Sequence, residues 1–156
     1  MKLTHIIFAM LTFTFLCGFL PIKADVKDGH FRFENFKRTK SPDKELVHLM
    51  CHAKKPTSWT QPKQYQAGEH DLWVKAQVYR DNTPASEKHA FANFKVNLEQ
   101  GKSYMLNRKL EGEHISLWIQ EVDTGVSVSD VVVAQLKQPL AEERQLRLNQ
   151  CRSGTI

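Results

Sequence analysis

The sequence predicts a mainly β protein: an antiparallel β-sandwich of about seven strands with a short C-terminal helix. Apolar and polar residues alternate with period two through the middle of the chain. Turn-forming residues separate these runs at a spacing of about 8–12 residues. One face of each run is apolar and the other mixed, as expected when one face meets a core and the other meets water.

The chain opens differently. Lys2 precedes an apolar run from Ile6 to Leu20, and Pro21-Ile22-Lys23-Ala24 ends it. This reads as a secretory signal peptide over residues 1–24, cut after Ala24, because the run is shorter than the ~20 apolar residues of a membrane span. Cys17 lies inside the run, behind Thr14-Phe15-Leu16 rather than small residues, which argues against lipidation. Of the 156 residues, 25–156 then form one domain, large enough for a core of its own. The leader carries Lys2 and Lys23 and no acid, so the mature net charge is +3 where the whole chain has +5. With an exported address and no groove-reading motif, a nucleic-acid partner is not expected, and neither is stable membrane insertion. Lys37-Arg38-Thr39-Lys40 is the one dense basic run, read as a solvated turn or a contact for anionic lipid or glycan.

Phe31 and Phe33 place a strand after Gly29. Ser41-Pro42-Asp43 has the form of a helix start, yet Glu45 to His52 alternates: Val47, Leu49 and Cys51 on one face, His48, Met50 and His52 on the other. The alternation favours a strand. Trp59 to Tyr65, with Pro62, reads as loop or edge strand. Leu72, Val74, Ala76 and Val78 share one face of the next strand; Trp73, Lys75, Gln77 and Tyr79 share the other. After the turn at Asp81-Asn82-Thr83-Pro84, Ala90, Ala92, Phe94, Val96 and Leu98 run in phase. Glu99-Gln100-Gly101-Lys102 turns the chain into Tyr104, Leu106 and Leu110, and Glu111-Gly112-Glu113 turns it into Ile115, Leu117 and Ile119. Asp123-Thr124-Gly125 is a hairpin turn, with Val126 and Val128 restarting a strand and Val131-Val132-Val133 its buried continuation. Pro139 to Cys151 is a short charged helix or an edge strand through Leu146 and Leu148; Glu142, Glu143 and Arg144 favour the helix. Leu72, Val74, Phe94, Val96, Leu106, Leu117 and Ile119 are the expected core.

Cys51 and Cys151 survive leader removal, and two cysteines in an exported chain predict one disulfide. Closing a loop of about 100 residues stabilises by up to ~4.7 kcal/mol in the chain-entropy account.

Candidate chemistry is thin. His48 and His52 would share one face of a helix at metal-binding spacing, but on a strand they stand ~13 Å apart, and Cys51 belongs to the disulfide. They read as surface histidines beside a structural cysteine. Glu69-His70-Asp71 looks like an acid–base trio, but on a strand His70 faces away from its neighbours. There is no Gly-x-Ser-x-Gly elbow, no His-Glu-x-x-His and no phosphate-cradling glycine loop. No catalytic residue, metal or cofactor is therefore expected. The remaining lead is aromatic. Trp73 and Tyr79 lie opposite the Leu72 stripe, and Trp118 opposite the Ile115 stripe, where such rings bind partners or sugars, or fill a second core layer under a loop or helix.

The stretch Ala67-Gly68-Glu69-His70-Asp71-Leu72-Trp73-Val74, with Gly101-Lys102-Ser103-Tyr104, Trp118-Ile119 and Asp123-Thr124-Gly125, resembles small bacterial envelope β-sandwich domains. The resemblance spans roughly residues 65–130 and implies an immunoglobulin-like or prealbumin-like sandwich. The function expected from all this is an exported, periplasmic or secreted, non-enzymatic binding or accessory protein of the cell envelope, with an envelope protein or glycan as partner. The alternative is a small secreted enzyme inhibitor acting through an exposed loop. An aromatic groove would mark the first, a rigid exposed loop the second, and titratable groups converging in a pocket an enzyme.

Overall fold

The computed structural model describes residues 25–40, 42–59, 61–141 and 143–156. The leader with its cleavage point after Ala24, Cys17 and the helix cap at Ser41 lie outside the described residues.

The chain is a β-sandwich, as its alternation predicts, with eleven strands among the described residues where about seven were expected. They are β1 (His30–Glu34), β2 (Phe36–Arg38), β3 (Lys44–Leu49), β4 (Cys51–His52), β5 (Lys55–Pro56), β6 (Lys63–Gln66), β7 (Gly68–Tyr79), β8 (Lys88–Leu98), β9 (Ser103–Glu111), β10 (His114–Glu121) and β11 (Val132–Gln135). A helix, α1 (Glu143–Ser153), follows near the C-terminus. The surplus consists of β2, β4, β5 and β6, each of two to four residues, too short to show a period of two.

One sheet has the order β11-β10-β9-β1-β6, the other β2-β3-β7-β8, and β4 and β5 form a separate hairpin. Pairing is antiparallel except between β1 and β9, which run parallel. Strand β1 lies in the first sheet and β2 in the second, so the chain crosses between the sheets at Asn35. Its Oδ1 accepts the Leu49 backbone N–H at 3.1 Å, tying the crossover to β3. On another side, backbone hydrogen bonds between His89 and Lys137 join β8 to the segment after β11.

All seven expected core residues are buried between the sheets, with Phe31, Phe33, Val47, Leu98, Tyr104 and Ile115 beside them. The valines of 126–133 behave differently from the expectation. Ser127 makes one isolated bridge to Gln120, and the strand resumes only at Val132. Val131 and Val133 are exposed, not buried, because β11 ends its sheet and only Val132 and Ala134 turn inward. Strand, not helix, is found over Lys44–Leu49, and helix, not strand, over Glu143–Ser153.

Candidate functional site

Alternation assigns an outer face to the four-stranded sheet. Cross-strand register sets His48 beside Lys75 and Lys75 beside Phe91; Gln77 pairs with His89, and Lys44 with Tyr79. Helix α1 covers part of this face. The disulfide between Cys51 and Cys151 fixes the helix's last turns to β4, and both cysteines pack with Met50, Trp73 and Phe91 into a second, smaller core. Trp73 is half-buried there, and a Cβ on Gly154 would lie 3.5 Å from its ring.

The N-terminal end of α1 is held by charge. His89 stands between two carboxylates: Nε2 is 2.6 Å from Glu87 Oε1, and Nδ1 is 3.3 Å from Glu143 Oε1. Glu87 also accepts from Gln77 at 2.9 Å. Burial works to raise the Glu87 pKa, but the hydrogen bonds from His89, Gln77 and Tyr79 prevail and lower it. Burial and the neighbouring Glu87 push the Tyr79 hydroxyl up to about 12. Burial also lowers the Lys75 pKa. The Arg147 guanidinium stacks on Phe91, 3.4 Å from the ring centroid. A cleft of about 360 Å³ opens beside these groups, between β8, the segment after β11, and α1. Titratable groups converge here, and the Glu143–His89 contact joins the start of the helix to β8.

His48 departs from the expectation of a surface histidine. It is 0% exposed, its ring centroid lies 5.5 Å from that of Trp59, and neither ring nitrogen has a hydrogen-bond partner among the described residues. The reason is coverage: the chain from Thr57 to Trp59 folds back over this row of the sheet. Burial lowers its pKa to about 4, helped by the charges of Lys75 and His89 and opposed by the nearby Thr57 backbone. His52 is exposed and faces Lys63, whose Nζ lies 2.9 Å from Nε2. The two histidines are thus apart, and among the described residues no three His, Cys, Asp or Glu side chains are placed to hold a metal.

Glu69, His70 and Asp71 line one cleft of about 410 Å³ with Lys95, Asn97 and Thr155, but they bond to other groups rather than to one another. His70 packs its ring edge on Phe31; Nε2 donates to the Gln66 carbonyl at 2.8 Å, and Nδ1 meets Thr155 Oγ1 at 2.9 Å. Asp71 accepts from Asn93. No hydrogen bond links the three among the described residues.

Trp73 and Tyr79 share the outer face of β7, opposite Leu72 and Val78, whereas Trp118 belongs to the other sheet. Trp73 lies under α1. Tyr79 is six residues along β7, beneath the Lys44 ammonium at 4.9 Å. Trp118 is on β10, on the outer face of the other sheet, its Nε1 3.3 Å from Gln120 Oε1.

The exposed element that stands out is the β4–β5 hairpin. Cys51 pairs with Pro56 and His52 with Lys55, leaving Ala53 and Lys54 as a two-residue turn. Both have positive φ, 49° and 59°, as a type I′ turn demands. Neither is glycine, so each costs about 1 kcal/mol or more of backbone strain. That strain is held by the disulfide at Cys51, by Thr57 N–H donating to Met50 O, and by Met50 N–H donating to Trp73 O, both at 2.8 Å. The tip exposes His52, Ala53, Lys54 and Lys55, with Lys63 alongside. Among the described residues no carboxylate lies within ion-pair distance of these three lysines. Sequence reasoning passed over this hairpin because His-Ala-Lys-Lys lacks the Asn-Gly or Asp-Gly that announces a tight turn. The available signal was Lys54-Lys55-Pro56 three residues after a disulfide cysteine. No family model, curated protein or solved structure matches this chain.

Proposed function

We propose that this protein is an exported, non-enzymatic binding protein that meets an acidic partner surface of the cell envelope through the β4–β5 hairpin. The observation that carries the reading is a strained, covalently anchored turn that presents Lys54 and Lys55 without counter-charges among the described residues. Rigidity matters because a preorganised loop loses little conformational entropy on binding. Exposed lysines attract an acidic surface and speed encounter. The disulfide and the leader-like first 24 residues agree with an extracytoplasmic address. No described helix is long and apolar enough to cross a membrane.

A second reading, an inhibitor that presses this hairpin into the acidic cleft of a hydrolase, draws on the same rigidity. The two differ in the partner's identity, not in the contact. The test is affinity capture from an envelope extract with oxidised protein, comparing the natural hairpin with Lys54→Glu, Lys55→Glu. The double variant should fold identically by circular dichroism and lose at least tenfold in capture of the partner. Undiminished capture would remove the hairpin from the function. Hydrolase activity in the captured fraction, suppressed by added protein, would select the inhibitor.

A further inference from the structure

At the opposite end of β3 from the hairpin, a polar cleft of about 390 Å³ opens between the two sheets. Four cations line it, Arg38, Arg80, Arg108 and Lys109, against two carboxylates, Asp43 and Glu45. Strand parity explains the set. Glu45 lies in phase with Val47 and Leu49, so it points into the sandwich where the core ends, and it is 2% exposed. Arg108 reaches it from β9 of the other sheet, pairing through Nε with Glu45 Oε2 and stacking on Phe36, 4.2 Å from the ring centroid. Arg38 approaches the other oxygen of Glu45 at 3.4 Å. Arg80 donates Nη1 to Asp43 at 2.8 Å and Nη2 to the Gly112 carbonyl at 2.5 Å.

These contacts seal the end of the core, but they leave the cleft in surplus. A guanidinium has five N–H donors. The hydrogen bonds described here use one from Arg38, one from Arg108 and two from Arg80. Among the described residues Lys109 pairs with Glu111 alone, on the open rim, where both side chains are more than half exposed and such a pair is worth little. The field inside is positive: burial works against the charged form of Asp43, yet its bonds to Arg80 and the Asp81 N–H, with the charges of Arg80 and Arg38, lower its pKa. Counting Glu111 on the rim, four cations face three carboxylates, which leaves one positive charge in excess beside unused guanidinium donors that an anion could accept from. A phosphate monoester carries between one and a half and two negative charges near neutral pH and offers several acceptor oxygens. Fixed guanidinium groups are the side chains best matched to that geometry.

We propose that the cleft lined by Arg38, Arg80, Arg108 and Lys109 is a binding site for a phosphate group, distinct from the β4–β5 hairpin. The test is a titration of ¹⁵N-labelled protein with inorganic phosphate, glycerol phosphate and phosphatidylglycerol vesicles, with sodium acetate at matched ionic strength as the reference. The probes are the backbone signals of residues 38, 43–45, 80 and 108–112. Phosphate should give saturable shifts confined to these residues, with half-saturation below ~1 mM, where acetate gives none. Arg38→Gln with Lys109→Gln should weaken phosphate at least tenfold. These two side chains are 47% and 67% exposed, so the variant keeps its fold. Lys54→Gln with Lys55→Gln removes the same charge at the other end and should leave phosphate affinity within twofold. Vesicle binding that free phosphate displaces assigns a lipid headgroup as the source; glycerol phosphate binding without vesicle binding assigns a soluble ester; both outcomes keep the site. Non-saturable shifts, equal response to acetate, or equal loss in the two double variants would overturn it.

Discussion

His48 is the residue whose chemistry most exceeds its role in the sequence. A buried imidazole whose ring nitrogens find no hydrogen-bond partner among the described residues stays neutral, and its pKa falls to about 4 from an ordinary 6.5. In the unfolded chain it takes up a proton near pH 6.5; in the folded chain it resists until about pH 4. Between these limits the unfolded state binds more protons, so stability is full above the unfolded value and declines as pH falls through the window. The Lys75 and His89 charges facing it act in the same direction. The expected loss from pH 7 to pH 4.5 is about 2 kcal/mol. Denaturant unfolding across that range should show it, and His48→Phe should flatten the dependence. Identical slopes in the two proteins would mean that the ring is solvated. Period-two alternation placed His48 on the outer face correctly, but burial there depends on a covering segment that alternation does not describe.

Among the elements, α1 is the one whose presence changes the meaning of the others. It has few apolar residues, and Cys151 is its one fully buried side chain among those described. Isolated helices of this length are marginal in water, so its stability comes from its attachments. Those are the Glu143–His89 contact at one end and the disulfide at the other. Replacing both cysteines with serine should cost ~2–5 kcal/mol and raise amide exchange over 143–153 above that of β7. Trp73→Ala should destabilise by ~3–5 kcal/mol, the cost of emptying a packed aromatic site. A cost below ~0.5 kcal/mol would show that the ring lies free on the sheet. The strands from Leu72 to Ile119 were legible because each is long and one-sided, and Leu117 and Ile119 sit where their alternation placed them. The disulfide was legible from the two cysteines that remain once Cys17 is set aside with the leader. The short β2, β4, β5 and β6 were not, nor was the parallel β1–β9 pair, since strand order arises from contacts between distant segments. The type I′ turn at Ala53-Lys54 was hidden because its geometry is imposed by the anchored ends rather than favoured by its residues.

At the scale of the whole molecule, one core holds both sheets together, and Leu117→Ala at its centre should cost ~2–5 kcal/mol in equilibrium unfolding. A second core beneath α1 closes part of the outer face of the four-stranded sheet, and the hairpin grows from that second core at Cys51. Two basic features therefore occupy opposite ends of β3: a rigid convex tip, and a cleft between the sheets. This division gives the central claim a direct test, which is amide hydrogen exchange of the oxidised protein with and without its captured partner. Docking through the hairpin gives partner-dependent protection at residues 51–57 and 63–66, with the segments around Tyr79 and Trp118 unchanged. Protection centred on Trp73 and Tyr79 or on Trp118, with the hairpin unaltered, would contradict it and return the binding surface to the aromatic faces.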